Sequence, residues 1–328
     1  MKIHNYGISL DTLGEFGSLQ RLEQALTYYQ ELGYSLVEID LSPFALVIDG
    51  NIRQPQLDAF CTVLANFKLH YSIHSPNRLN LAYDSQHELS KRILRCQIEI
   101  CHAIGGIRVV YHSGLQALDE VAPGLRRTLL TEDALREGAQ REVNALKEIA
   151  PFAADAGVVV CLENGDPHQW EHDLIARFNL PREALLQHHA RLHPQNIVRQ
   201  LEAIDHPNVA LTLDIAHLYI AANDMGFDYL EAVSIAAPWV KHLHVNDNYG
   251  RLDRGYDKGA DRWAYGEGDI HLPPGWGSIP YEQVLARLPQ YEGDLVLEIK
   301  LGFEDHLSEC LATIRRLVRD SENAEHLH

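Results

Sequence analysis

The feature that most constrains the fold is a regular alternation of short apolar runs with longer amphipathic runs, which continues through almost all of the 328 residues. Short β-branched or apolar runs bounded by turn residues predict strands, and apolar residues spaced three or four apart predict helices. Most strand runs are almost continuously apolar, as is typical of buried parallel strands. The predicted strands are Ile3–Ser9, Leu36–Leu41, Leu69–His74, Ile107–His112, Val158–Glu163, Val209–Leu213, Val240–Val245 and Leu295–Ile299. The predicted helices are Leu19–Leu32, Gln56–Asn66, His87–Ile104, Glu132–Ala154, Ile197–Ile204, Ala216–Ala236, Tyr281–Leu288 and His306–Val318.

Eight strands that alternate with eight helices favour a closed (β/α)8 barrel. An open, doubly wound parallel sheet shows the same alternation, so the pattern leaves that fold open while the number of strands favours the barrel. A chain of 328 residues fits one barrel domain. We predict a single domain over residues 1–320 and a tail at 321–328, with long loops at about 164–194 and 247–280 over the C-terminal mouth of the barrel.

The composition limits the possible partners of the protein. There are 46 Asp and Glu residues against 28 Lys and Arg, and the resulting formal charge of −18 disfavours nucleic acid as a partner. No apolar run reaches the roughly 18 residues that span a bilayer, and the first residues lack a signal peptide's apolar core, so we expect a cytoplasmic protein that does not bind membranes. The five cysteines form no CxxC pair and are expected to be reduced. A homo-oligomer is compatible with the sequence.

Potential metal ligands stand where the apolar strands end. Six of the eight predicted strands end in such a residue, namely His74, His112, Glu163, Asp214, His244 and Glu298. Strand ends in a barrel point at one mouth, so ligands far apart in the sequence converge there. Three more potential ligands are His217, one helical turn after Asp214, and Asp269 and His271 in the second long loop. Carboxylates that meet in an apolar barrel repel one another and lose solvation unless cations are present, so the pattern predicts a divalent-metal site.

The ligand types narrow the choice of metal. Imidazole nitrogens mixed with carboxylate oxygens suit Zn or Mn better than ions that prefer oxygen alone. A dinucleotide-binding fingerprint and a GxSxG elbow are both absent from the sequence, which disfavours nicotinamide binding and serine hydrolase chemistry. The arginines of the first long loop and just beyond it are expected to be solvated and are given no role; they are Arg177, Arg182, Arg191 and Arg199.

Several longer motifs together point to one superfamily. They are Leu162-Glu163-Asn164, Leu213-Asp214-x-x-His217, His244-Val245-Asn246-Asp247, Asp269-Ile270-His271 with Gly275-Trp276-Gly277-Ser278-Ile279, and Leu297-Glu298. With them the chain resembles, over nearly its whole length, the xylose isomerase-like barrel superfamily. That superfamily includes sugar and sugar-phosphate isomerases and epimerases and also the endonuclease IV family.

The resemblance implies two ligand sets. In the single-metal epimerases the metal is held by residues that match Glu163, Asp214, His244 and Glu298, and the two glutamates also move protons. In the endonuclease IV family the same four belong to a three-metal cluster, which is completed by residues that match His74, His112, His217, Asp269 and His271. Every matching position has a suitable residue here, so the resemblance implies between one and three ions per chain.

Two enzyme functions compete on this basis. The first is an isomerase or epimerase of a sugar, sugar phosphate or related polyol, in which Glu163 and Glu298 are the catalytic residues and transfer a proton through an enediolate. The second is an endonuclease IV-like phosphodiesterase, which would need a basic, aromatic-lined groove that the charge of −18 disfavours. A sugar lyase or dehydratase with the same enolising site, and a metal-containing binding protein without turnover, also remain open.

The sequence departs from the endonuclease IV pattern in the second long loop. Ile270 stands where that family has an arginine, and Gly275-Trp276-Gly277 stands in place of its Gly-Glu-Gly. The insertion Arg251–Gly268 separates the chain from both branches. We expect this insertion to form a substrate-specific lid.

Overall fold

The computed structural model describes residues 1–10, 17–112, 129–254 and 259–325. The strands are β1 (Lys2–Ser9), β2 (Leu36–Asp40), β3 (Val47–Ile48), β4 (Asn51–Ile52), β5 (His70–His74), β6 (Arg108–His112), β7 (Val159–Glu163), β8 (Val209–Asp214), β9 (Val240–Val245) and β10 (Glu292–Leu297). The helices are α1 (Leu19–Leu32), α2 (Gln54–Leu64), α3 (His87–Ala103), α4 (Glu132–Asp155), α5 (Gln169–Arg177), α6 (Leu185–His188), α7 (Pro194–Ile204), α8 (Ile215–Met225), α9 (Tyr229–Ala236), α10 (Gly259–Tyr265), α11 (Tyr281–Leu285) and α12 (Leu307–Glu325).

Eight of the strands close into a parallel barrel in the order β1-β10-β9-β8-β7-β6-β5-β2, which confirms the predicted (β/α)8 fold and excludes the open sheet. The barrel closes between β1 and β10, where Ile8 pairs with Leu297. Gly7 lies where neighbouring side chains come close, because a Cβ atom there would be 2.5 Å from Cδ2 of Leu36. The short strands β3 and β4 form a separate antiparallel hairpin that the sequence analysis did not predict.

The helix boundaries differ from the predictions mainly between residues 215 and 236. The predicted single helix Ala216–Ala236 is two helices, α8 and α9. Helix α8 ends at Met225 and is followed by Gly226, whose φ of 75° is left-handed and easily adopted by glycine. Helix α9 then begins after Asp228, whose side chain accepts a hydrogen bond from the backbone N–H of Glu231 at 2.8 Å. The apolar spacing continues across the break, so spacing alone did not reveal it.

The long segments over the mouth contain more regular structure than predicted. Helices α5 and α6 lie within 164–194, and α10 lies within the second segment. Helix α12 continues to Glu325, so the first residues of the predicted tail are helical, while 326–328 lie outside the described residues. All five cysteines are free thiols, as expected. In the described part of the chain, no helix is both long and apolar enough to cross a membrane.

Strand alternation explains why the predicted ligands point into the barrel. Successive side chains of a strand point to opposite faces, so the residue before each ligand points outward under the helices. Those preceding residues are buried in the main hydrophobic core; they are Ile73, Tyr111, Leu162, Leu213, Leu243 and Leu297. Burial of this outer face fixes the strand register, and the register places each following polar side chain at the mouth.

Candidate metal centre

Four of the predicted ligands form a central group at the barrel mouth. Glu163, Asp214, His244 and Glu298 are all buried, and each offers a ligand atom within 4.8 Å of the others. Nδ1 of His244 lies 3.0 Å from Oε1 of Glu163 and 3.4 Å from Oε1 of Glu298. Strands β8 and β9 lie between β7 and β10 in the barrel, so the two glutamates reach this nitrogen from different sides.

The other five predicted ligands form two outer groups. His74 and His112 join Glu163, whose Oε2 lies 3.6 Å from Nε2 of His74 and 2.5 Å from Nε2 of His112. On the other side His217, Asp269 and His271 form a third group.

The outer groups are continuous with the central group. Nδ1 of His217 lies 3.5 Å from Oδ2 of Asp214, and Nε2 of His217 lies 3.4 Å from Oδ2 of Asp269. Nε2 of His271 contacts the same Asp269 oxygen. The fold therefore brings all nine side chains into one cluster, whereas metal binding by them stays a prediction.

The donor atoms of the cluster fit a divalent cation. Oδ2 of Asp214 and Oδ1 of Asp269 are buried and accept no hydrogen bond within the described residues. A buried carboxylate oxygen without a partner is costly, and a cation would satisfy it.

The electrostatics of the cluster also favour a bound cation. Burial raises the pKa of Asp214 to about 8, and the charges of Glu298 and Glu163 add to the rise although His217 opposes it. Burial acts against ionisation of Glu163 too, but His112 and His244 outweigh it and hold the pKa of Glu163 well below its usual range. Burial lowers the pKa of His112 to about 4 despite the nearby Glu163. The protein's own groups thus compensate the charge of Glu163 but leave that of Asp214 incompletely neutralised, which a bound cation would correct.

Glu38 is a site residue that the sequence analysis missed. It lies inside the barrel on β2 and is 1% exposed. Its Oε2 accepts a hydrogen bond from Oγ of Ser72 at 2.8 Å, and its Oε1 lies 2.8 Å from Nε2 of His244. The negative charge of a carboxylate behind a histidine favours the proton on the nearer ring nitrogen and leaves the other nitrogen free for a metal. The available signal was the pair of acidic residues, Glu38 and Asp40, inside the otherwise apolar run Leu36–Leu41.

Asn164 and the start of α8 orient Asp214. The amide of Asn164 donates from Nδ2 to the carbonyl of Asp214 and accepts from its N–H, both at 2.9 Å. Oδ1 of Asp214 caps α8 by accepting from the N–H groups of Ala216 and His217, each at 2.7 Å. These bonds direct the second oxygen, Oδ2, toward the cluster and explain the spacing of the Leu213-Asp214-x-x-His217 motif.

The Gly275-x-Gly277 motif holds the loop that carries His271. The Asp247 carboxylate accepts a hydrogen bond from Gly275 N–H at 2.8 Å, and a Cβ atom on Gly277 would lie 2.3 Å from Oδ1 of Asp247. His271 has a φ of 46°, a left-handed conformation that costs a histidine energy. Its ring Nδ1 lies within hydrogen-bonding distance of the Glu298 carbonyl, at 3.1 Å. The loop thus stabilises a strained backbone at a predicted ligand.

Arg191 does not lie in solvent as expected. Arg177, Arg182 and Arg199 are exposed, whereas Arg191 is partly buried and donates from Nε to Nε2 of His189 at 3.0 Å. Burial lowers the pKa of Arg191, and the charges of Glu163, Asp166 and Glu171 oppose that change. Its role could not be inferred from its position in a polar loop.

Comparison with known proteins identifies the family. The family described as xylose isomerase-like TIM barrel matches residues 26–315. This chain belongs to that family. The uncharacterized protein MJ1311 of Methanocaldococcus jannaschii is 24% identical over 329 residues, which cover 96% of this chain and 95% of that protein.

Several solved structures share the fold of this chain. The structure of D-psicose 3-epimerase with D-tagatose from Clostridium cellulolyticum H10 has a TM-score of 0.66 at 15% identity, covering 96% of this chain and 99% of that one. A xylose isomerase-like TIM barrel protein from Mycobacterium smegmatis in complex with magnesium has a TM-score of 0.66 at 18% identity, covering 97% of both chains. At these identities the likeness establishes the shared barrel and leaves the reaction open.

Proposed function

We propose that this protein is a divalent-metal-dependent isomerase or epimerase that acts on a sugar, sugar phosphate or related polyol. The observation that carries the proposal is the pair of buried glutamates, Glu163 and Glu298, that flank Nδ1 of His244 from different sides of the barrel. Together with Asp214 these residues would hold the metal, with Zn or Mn as the preferred ions. When bound, such an ion would supply Lewis-acid polarisation of a hydroxy-ketone, which acidifies the neighbouring C–H bond.

The two glutamates would carry out the proton transfer. One carboxylate removes the proton from the carbon next to the carbonyl, and the electron pair of the broken C–H bond moves into an enediolate. The other glutamate, in its protonated form, returns a proton to the opposite face, which inverts that carbon, or to the neighbouring carbon, which moves the carbonyl. Glu163 at the end of β7 and Glu298 just after β10 approach from different strands, which supports the two-sided arrangement that inversion would require.

The comparisons support a carbohydrate substrate. Structures with this fold include D-psicose 3-epimerase and, with a TM-score of 0.64, L-ribulose 3-epimerase. We propose that this chain catalyses a reaction of the same kind as those epimerases.

The test follows deuterium from solvent into the substrate. The metal-loaded protein is incubated in D2O with a panel of ketoses and ketose phosphates, and mass spectrometry and NMR locate deuterium beside the carbonyl. We expect incorporation by the native protein and a fall of about 10²- to 10⁴-fold in Glu163→Gln and Glu298→Gln. Glu202→Gln, at an exposed position on α7, is the matched control. An unchanged rate of deuterium exchange in both site variants would contradict the proposal. Elimination of a β-hydroxyl from the substrate, in place of exchange, would show that the enzyme is a lyase.

A second function is favoured by the two outer groups. They complete the nine-residue arrangement that resembles the endonuclease IV cluster, which suits hydrolysis of a phosphodiester. Hydrolysis of bis(p-nitrophenyl) phosphate and nicking of an oligonucleotide with an abasic site test this reading. Rapid hydrolysis without deuterium exchange into any ketose would replace the isomerase proposal, although the charge of −18 weighs against a DNA substrate.

A further inference from the structure

We propose that Arg191 binds an oxyanion of the substrate, so that the sugar on which this site acts carries a carboxylate or phosphate group. The inference rests on the proposed function, because it names the class of sugar that the same barrel mouth accepts.

A chain of contacts fixes the direction of the guanidinium group. Glu171 belongs to the capping box at the start of α5, where its Oε2 accepts a hydrogen bond from the N–H of His168 at 2.7 Å. Its Oε1 lies 2.9 Å from Nδ1 of His189. Nε2 of His189 accepts the hydrogen bond from Nε of Arg191, so the His189 proton belongs on Nδ1, beside the carboxylate. Glu171 and His189 are buried, so this orientation is fixed before any ligand binds.

Arg191 lies against the backbone that follows β7. The Gly165 N–H donates to the Arg191 carbonyl at 3.2 Å, and a Cβ atom on Gly165 would lie 2.7 Å from Nε of Arg191. Gly165 is two residues after Glu163, the proposed proton-transfer residue. The guanidinium is therefore at the edge of the mouth where the substrate would bind.

The two terminal nitrogens of Arg191 remain available to a ligand. Among the described residues, its guanidinium makes the single hydrogen bond from Nε to His189. Among the described residues Arg191 makes no ion pair with a carboxylate, although the charges of Glu163, Asp166 and Glu171 act on it from farther away. Its terminal N–H groups have therefore lost solvation that two parallel hydrogen bonds to a carboxylate or phosphate would restore.

Open space adjoins Arg191. It lines a cavity of about 310 Å³ between α4 and α7, together with Arg136 and Arg199. The one carboxylate of this lining, Glu142, already accepts hydrogen bonds from Tyr111 and Gln200. Arg136 is paired with Asp133, so Arg191 and Arg199 are the cationic side chains of this lining that make no ion pair among the described residues.

The experiment compares neutral and anionic ligands of the same kind. Calorimetry on the metal-loaded protein measures the binding of D-fructose, D-fructose 6-phosphate and 5-keto-D-gluconate, and the deuterium assay measures KM and kcat for those that react. The variants are Arg191→Gln, the charge-retaining Arg191→Lys, and Arg177→Gln as a control at an exposed position of α5. We expect Arg191→Gln to weaken binding of an anionic ligand by on the order of 10- to 100-fold and to leave D-fructose unchanged. We expect Arg191→Lys to lose less.

Each outcome separates this inference from the proposed function. A preference for the phosphate alone or for the carboxylate alone, removed in Arg191→Gln, identifies which oxyanion is taken. Equal binding of neutral and anionic ligands, binding of none of them, or an equal loss for both classes in Arg191→Gln overturns the inference. An anionic preference that depends on Arg191 without any deuterium exchange supports the inference and contradicts the proton-transfer function.

Discussion

The central group and the outer group of His217, Asp269 and His271 use the same ligand types but are held differently. All four central residues are buried, whereas each member of the outer group is partly exposed. Side chains behind the central group fix it, namely Glu38 behind His244 and Asn164 beside Asp214. In the outer group the contacts behind the two histidine rings are backbone carbonyls, those of Asn164 and Glu298.

The residues of the central group are therefore better preorganised for a cation than those of the outer group. A ligand side chain held by a buried network loses little conformational entropy when a cation binds, and few water molecules compete with it. A partly exposed ligand side chain loses more conformational entropy, and solvent competes with it for the cation. We therefore expect the central group to bind its cation tightly and the outer group to exchange its cation readily.

Replacement of His244 should have the greatest consequence for the central group. His244→Gln removes the nitrogen that both glutamates face, so we expect loss of the central metal. The rate of deuterium exchange should fall roughly 10³-fold, which corresponds to about 4 kcal/mol of activation free energy. Elemental analysis and the exchange assay measure the two effects. His70→Gln, at an exposed position of β5, should change neither. Full metal content in His244→Gln would remove His244 from the ligand set.

Glu38→Gln tests whether the buried network behind His244 makes the central group different. The amide cannot hold the His244 proton as a carboxylate does, so we expect metal affinity to fall by about 10- to 100-fold. Competition with a coloured chelator gives the affinity. Circular dichroism checks that the variant folds, since the change also disturbs a buried contact with His242. Wild-type affinity in a folded Glu38→Gln protein would mean that the network has no influence on the metal.

His271→Gln probes the outer group on its own. We expect the variant to lose metal from the outer position on dialysis and to keep the central metal. The rate of deuterium exchange into the sugar should stay within about tenfold of the native rate, which is a smaller effect than that of a change behind the central histidine. A phosphodiesterase that uses the whole cluster would instead lose its activity. The comparison of exchange and hydrolysis in this one variant therefore separates the two candidate functions.

The residues that could be predicted from the sequence are those whose role depends on local pattern. Glu163 and Asp214 each follow an apolar strand, and the barrel geometry brings strand ends together wherever they stand in the chain. Glu38 could not be assigned to the site from local pattern, because its partner His242 is 204 residues away and no sequence motif near Glu38 indicates the contact. Arg191 depends on the fold of the first long segment, where the capping box of α5 places Glu171 against His189. Long-range pairs of this kind need coordinates.

Gly165→Ala should have the smallest effect of these variants. It tests Arg191, which is oriented by buried side chains as the central ligands are. Gly165→Ala introduces a Cβ atom that would lie 2.7 Å from Nε of Arg191 and 3.0 Å from Nε2 of His189. The guanidinium must shift by a few tenths of an ångström or more, so we expect KM for an anionic ketose to rise by roughly two- to tenfold, about 0.4–1.4 kcal/mol. The kcat value and the KM for a neutral ketose should stay close to those of the native protein, because Glu163 and Glu298 are untouched. An equal rise in KM for both ketoses would indicate a general disturbance of β7, and an unchanged KM for both would show that the packing of Arg191 against Gly165 does not influence substrate binding.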